Sequence, residues 1–229
     1  DLIGPMGVGK TTQIATGYKY FSPQEHPLLL EAVRECPVPD DGRIRIYLTR
    51  EANIEDKGRI TFEQLVWLSL TSMASRIMMS ETKGAETFYL LQLGNSGILG
   101  LLFTSHAYSA KEFIYRRCPA MLMQAPELSK EYDPMMLIGN SIHFLCVLEQ
   151  VGAQRRYKEI CEIVYDDDTR KPGILPIFVR DERGTMVPTG NIPHEKLEIM
   201  RQELSRMGIM NELDLNIFQR KPAYFNMAG

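Results

Sequence analysis

The sequence predicts an α/β fold: a core of alternating strands and helices over residues 1–125, then a C-terminal part over 126–229 with a β-hairpin and a helical appendage. Three observations predict it. A glycine-rich loop sits between an apolar pair, Leu2-Ile3, and a helix-forming stretch. Short apolar runs then alternate with helical patterns as far as Pro126. Beyond it, longer β-type segments follow one another with only turns between them.

Leu2-Ile3 ends a buried strand that feeds the glycine loop, and Thr11 to Tyr20 forms the helix after it. Pro23, Pro27, Pro37 and Pro39, with Asp40-Asp41-Gly42, make the next stretch loop-rich. Arg43 to Leu48 alternates with period two and reads as a strand. Thr61 caps a helix running to about Ser72. Arg76 to Ser80 is a short apolar strand, Gly84 to Leu93 a helix, Leu99 to Phe103 another buried strand, and Ser109 a helix start. In the second part, Pro134 to Ser141 reads as a helix. Ile142 to Glu149, Arg155 to Tyr165 and Ile174 to Val179 read as strands, and Glu195 to Met207 as an amphipathic helix.

The chain has 229 residues, 44% hydrophobic and 24% charged, which suits an ordinary globular core. Its formal net charge of −3 argues against broad nucleic-acid binding, which needs many phosphate contacts. No apolar run approaches the ~20 residues of a membrane span. Cys36, Cys118, Cys146 and Cys161 form no CxxC pair, so free thiols in a reducing compartment are expected and a structural zinc is not. The sequence opens almost on its glycine loop, which suggests a piece of a longer protein.

Gly4-Pro5-Met6-Gly7-Val8-Gly9-Lys10-Thr11, followed by Thr12, fits the pattern GxxxxGK[ST]. Its glycines let backbone N–H groups wrap a phosphate chain, and the helix N-terminus adds partial positive charge. In this pattern Lys10 faces the β- and γ-phosphates and the Thr11 hydroxyl ligates Mg²⁺, so ATP with Mg²⁺ is the expected ligand. The bland alternative is a glycine-rich turn without a ligand; the strand before it and the helix after it weigh against that. A general base or water-positioner belongs at the end of a buried strand beside the γ-phosphate, and Glu81 ends the strand Arg76–Ser80. Residue type alone leaves Glu81 open to being a surface carboxylate, His106 a hydrogen-bonded structural residue, and Arg50 and Arg116 surface ion pairs.

Several blocks in order resemble the secretion ATPases of the type II/IV superfamily, in particular the tight-adherence pilus and conjugation-type members, from the phosphate loop to about Gly190. Thr49-Arg50 with Asn53-Ile54-Glu55-Asp56-Lys57-Gly58 resembles the family's "TRPxNIEGKG". Arg76 to Glu86 resembles its Walker B block, "RIIVGEVRGAE"; Gln92, Asn95-Ser96-Gly97 and Gly100 resemble "QAMNTGHxG". Thr104-Ser105-His106-Ala107, with Ser109 and Arg116, resembles its histidine box, and Gly152 to Ile163 resembles "GSRRVTxIxEV".

The resemblance implies a RecA-like P-loop NTPase core that hydrolyses ATP, with Glu81 orienting the attacking water and His106 sensing the γ-phosphate or relaying it to a neighbour. Glu31 and Glu35 lie where the family carries an acidic box, for Mg²⁺ or the attacking water, while Arg50 and Arg116 would stabilise phosphate charge in cis or in an adjacent subunit. It further implies a homo-oligomer, a hexameric ring at the inner face of the cytoplasmic membrane, working with inner-membrane platform proteins of a secretion or pilus system, and a further domain ahead of the phosphate loop. The chain departs from the pattern at Ala32, where an aspartate is usual, at Ser80 and Ile98, and at Trp67, Thr71 and Met73, where arginines are expected. These departures favour a rival reading, a nucleotide-binding ring subunit with little hydrolysis. A third, a DNA-translocating motor, has the acidic net charge against it.

Overall fold

The computed structural model describes residues 1–98, 100–128, 132–193, 196–206 and 218. Its centre is one nine-stranded sheet in the order β3-β2-β4-β5-β1-β6-β7-β8-β9. The strands are β1 (Leu2–Ile3), β2 (Pro27–Glu31), β3 (Arg45–Leu48), β4 (Arg76–Met79), β5 (Leu101–Ser105), β6 (Phe144–Val151), β7 (Gln154–Asp166), β8 (Lys171–Arg180) and β9 (Met186–Pro188). The first six in spatial order pair in parallel; β7 adds to β6, β8 to β7 and β9 to β8, each antiparallel.

The core strands are short continuous apolar runs because both faces of the sheet are covered. Period two then sorts their side chains. Ile3, Leu28, Leu30, Ile77, Met79 and Phe103 point into one cluster, shared with α2 (Phe62–Thr71), α3 (Glu86–Asn95) and α6 (Pro134–Ser141). Leu2, Leu29 and Met78 point into the other, against Ile14, Ala15 and Tyr18 of α1 (Lys10–Tyr18).

Most expected elements are present within a few residues of their expected bounds. Thr61 closes a full capping box with Gln64 at the start of α2. One expectation is corrected: the proline-rich stretch after α1 contains a central strand, β2, whose five residues are all buried. Pro27 stands at its first position, where a missing N–H costs least, so the proline signal masked the Leu28-Leu29-Leu30 run. The C-terminal strands are not set apart from the core: β6 pairs with β1, Leu2 opposite Cys146 and Ile3 opposite Val147. Of the last expected helix, α7 (Leu197–Arg206) is seen; Glu195 and Met207 lie outside the described residues, as does Leu99 at the start of the expected strand before Ser105.

The helix that Ser109 caps changes character along its length. Ala110–Glu112 is α4, Phe113–Arg117 is a π turn, and Cys118–Leu122 is α5. Pro119 has no N–H for an i−4 carbonyl, and its ring crowds that carbonyl; a π turn just ahead of it, closed by Cys118 N–H to Phe113 O, relieves the crowding.

Candidate functional site at the phosphate loop

The loop from Gly4 to Gly9 joins β1 to α1 at the carboxyl ends of the parallel strands, where open α/β sheets bind ligands. Its entry is held by Gly4 N–H donating to Ser105 O at 3.3 Å. A Cβ on Gly4 would lie 2.7 Å from the Leu148 carbonyl oxygen, so only glycine fits there. Val8, 1% exposed, anchors the middle of the loop in the core. Gly7 and Gly9 take φ of +74° and +93°, which side chains resist. Gly9 is the N-cap of α1 and supplies no side-chain cap, so the first amides of the helix stay free to face a ligand.

Lys10 is 7% exposed, unusual for a lysine. Its ammonium donates to Gly4 O at 2.9 Å and Pro5 O at 3.0 Å, and contacts His106 Nδ1 at 3.2 Å. His106 Nδ1 also lies 3.2 Å from Gly4 O, so the ammonium, the imidazole and that loop carbonyl meet at one corner of the site. Nε2 meets Glu81 Oε1 at 2.5 Å, and Glu81 Oε2 pairs with Lys83 Nζ at 2.6 Å. A continuous chain, Lys10–His106–Glu81–Lys83, thus crosses the mouth of the loop. Burial lowers the Lys10 pKa, partly offset by the Glu81 charge. For Glu81, burial pushes the carboxyl up, but the hydrogen bonds and charges of Lys83 and His106 outweigh it, and the pKa ends lowered.

The segment carrying Glu81 is clamped between two strands. Ser80 N–H donates to Leu30 O at 3.2 Å and Thr82 N–H to Thr104 O at 2.8 Å. Thr104 Oγ1 donates to Ser80 O at 2.5 Å and Ser105 Oγ to Thr82 O at 3.0 Å.

Around this chain lies an open cleft of about 850 Å³. Of the residues expected from sequence, Met6, Gly7, Gly9, Lys10, Thr11, Thr12, Glu35, Glu81 and His106 line it; Gly4, Pro5 and Val8 shape the loop from behind. Glu31, Arg50 and Arg116 do not line it. Glu31 is fully buried: Oε1 accepts from Cys36 N at 2.8 Å and Glu35 N at 3.2 Å, and Oε2 pairs with Arg34 at 3.1 Å. Arg50 is exposed and donates to Gly58 O at 2.6 Å. Arg116 is exposed, and its neighbour Arg117 faces the cleft instead. The π turn adds a residue just there, and so resets which of two consecutive arginines points inward. Lys83 and Arg155 also line the cleft and were not singled out from sequence. Lys83 lies two residues past Glu81 and Arg155 begins the Arg155-Arg156 pair, but nothing in the sequence tells a cleft arginine from a surface one.

The donor set fits a phosphate chain. Among the described residues none accepts from the N–H of Gly7 or Gly9, and Lys10, Lys83 and Arg117 supply positive charge. No group of three metal-ligating His, Cys, Asp or Glu occurs among the described residues.

A family model described as "Type II/IV secretion system protein" matches residues 2–185. The chain is 28% identical over 172 residues to the type IV secretion system protein PtlH of Bordetella pertussis, covering 74% of this chain and 50% of that one. It is 27% identical over 181 residues to the type IV secretion system protein VirB11 of Brucella abortus, covering 73% and 47%. The chain therefore spans about half the length of the curated relatives it matches. Among solved structures it is similar to the VirB11 ATPase of the Brucella suis type IV secretion system in complex with sulphate, with a TM-score of 0.60 and 18% identity, covering 70% of this chain and 47% of that one. That likeness is one of fold, an α/β architecture with a RecA-like P-loop core.

Proposed function

The chain belongs to the type II/IV secretion system protein family, and on that premise we propose that it is the nucleotide-binding part of a motor that hydrolyses ATP to drive secretion or pilus assembly. The observation that carries the reading is the Lys10–His106–Glu81–Lys83 chain at the mouth of a phosphate loop. Lys10 exchanges its carbonyl partners for the β- and γ-phosphates, and the loop amides wrap the chain. The Thr11 hydroxyl would hold a Mg²⁺ ion, which would neutralise phosphate charge. Glu81 orients the attacking water. His106, losing Lys10 as a partner when the phosphates draw it away, passes the change of state to Glu81.

Arg50 and Arg116, exposed and away from their own cleft, suit contacts across a subunit boundary in a hexameric ring of identical chains. Such a ring works at the inner face of the cytoplasmic membrane with inner-membrane platform proteins. No helix among the described residues is long and apolar enough to cross a membrane. A second reading, a ring subunit that binds nucleotide and hydrolyses it poorly, is favoured by Ala32 in the cleft wall and by the burial of Glu31.

Calorimetry with Mg-ATP tests the site. Lys10→Ala is expected to weaken binding by at least roughly tenfold, since a hydrogen bond from a charged group contributes about 1.5–3 kcal/mol. Unchanged affinity refutes the assignment of the loop.

A further inference from the structure

We infer that the base of the nucleotide sits in a side pocket between α1 and the β6–β7 hairpin, with the Arg155 guanidinium stacked on its face. The inference rests on the phosphate-loop reading and adds the nucleoside end to it.

A nucleotide in this loop has a direction. Its γ-phosphate points to Lys10, Glu81 and His106, so its nucleoside leaves on the opposite side, past Thr12. A second pocket of about 140 Å³ opens there. It shares Gly9, Thr12 and Arg155 with the main cleft and continues to Val8, Gln13, Leu148 and Tyr157. Its lining mixes apolar side chains that can meet the face of a base with polar groups, Gln13 and Arg156 among them, that can meet its edge. Val8 and Leu148 are buried apolar side chains, 1% and 3% exposed. The Tyr157 hydroxyl donates to Gln13 Oε1 at 2.8 Å, which fixes the amide and leaves its NH₂ group to donate.

Two arginines stand at this place and the structure separates them. Arg156 is spent on Glu149, with Nε to Oε1 at 2.8 Å. Arg155, on the exposed turn-side end of β7, has no partner for its guanidinium among the described residues. Its stem passes over the phosphate loop: a Cβ on Gly9 would lie 3.7 Å from Arg155 Cδ. A guanidinium without a partner, at the junction of a phosphate cleft and a side pocket that Val8 and Leu148 help to line, stacks on an aromatic base.

The test compares Mg-ATP with Mg-tripolyphosphate, which has the phosphates and no nucleoside, by calorimetry on the wild-type chain, Arg155→Ala and Arg155→Lys. Arg155→Ala is expected to weaken ATP by roughly 5- to 100-fold, the range for loss of one base-stacking contact. It is expected to leave tripolyphosphate affinity unchanged, and Arg155→Lys is expected to behave like the alanine variant because it keeps the charge and loses the plane. Circular dichroism checks that both variants fold. Equal losses for the two ligands, or rescue by lysine, make Arg155 a phosphate ligand and overturn the inference. Unchanged ATP affinity in both variants also overturns it, while leaving the phosphate loop intact. A wild-type chain that binds neither ligand overturns the phosphate-loop reading, and this inference with it.

Discussion

Glu31 and Glu81 stand at nearly the same place in the fold and do opposite things. Each follows the apolar run of one of two adjacent parallel strands, β2 and β4, where Leu30 lies opposite Met79. Glu31 is fully buried and spends its oxygens on the amides of Cys36 and Glu35 and on Arg34. It holds the turn that leads away from β2. Glu81 faces the cleft and holds only side chains, His106 and Lys83, that can let it go. A carboxylate bonded to backbone shapes a loop; one bonded to mobile side chains is free to act on a ligand.

The sharpest way to break this contrast is Glu81→Gln. It keeps the shape and removes the charge, so ATP turnover is expected to fall roughly 10²–10⁴-fold, the usual contribution of a positioned general base, with little change in unfolding midpoint. Turnover that survives moves the catalytic water to Glu35, the other carboxylate in the cleft wall.

Glu31→Ala is the converse. It leaves the buried Cys36 amide without its acceptor, and urea unfolding is expected to show a loss of ~1–3 kcal/mol. A variant as stable as wild type would mean that the turn does not depend on Glu31.

The smallest expected effect is a shift in pH dependence for Lys83→Met. Burial alone raises the Glu81 carboxyl; Lys83, with His106, brings it below its ordinary value. Without Lys83 the carboxyl titrates at higher pH. A base must be deprotonated to act, so the acid limb of the turnover profile moves upward. An unmoved limb would show that the ion pair has no influence on the carboxylate that acts.

The sequence by itself determined the strands and helices whose signals are local. The phosphate loop needs glycines at fixed spacing, the Thr61 capping box needs a partner three residues on, and the apolar run at Arg76–Met79 ends beside Glu81. It also placed Lys10 among the candidates through the phosphate-loop pattern, and Glu81 and His106 through the resemblance of their blocks to the secretion ATPases. The tertiary structure alone decided what depends on long-range pairing. Pro27 looked like a loop residue until β3 and β4 flanked its strand. Glu31 looked like a metal-side carboxylate until Cys36 folded back onto it. Arg116 and Arg117 differ by one position in the chain, and a π turn ahead of Pro119 chose between them. In each case the deciding neighbour is a hydrogen bond, a strand or a helical register that forms only when the chain closes, so residue type and spacing carried no trace of it.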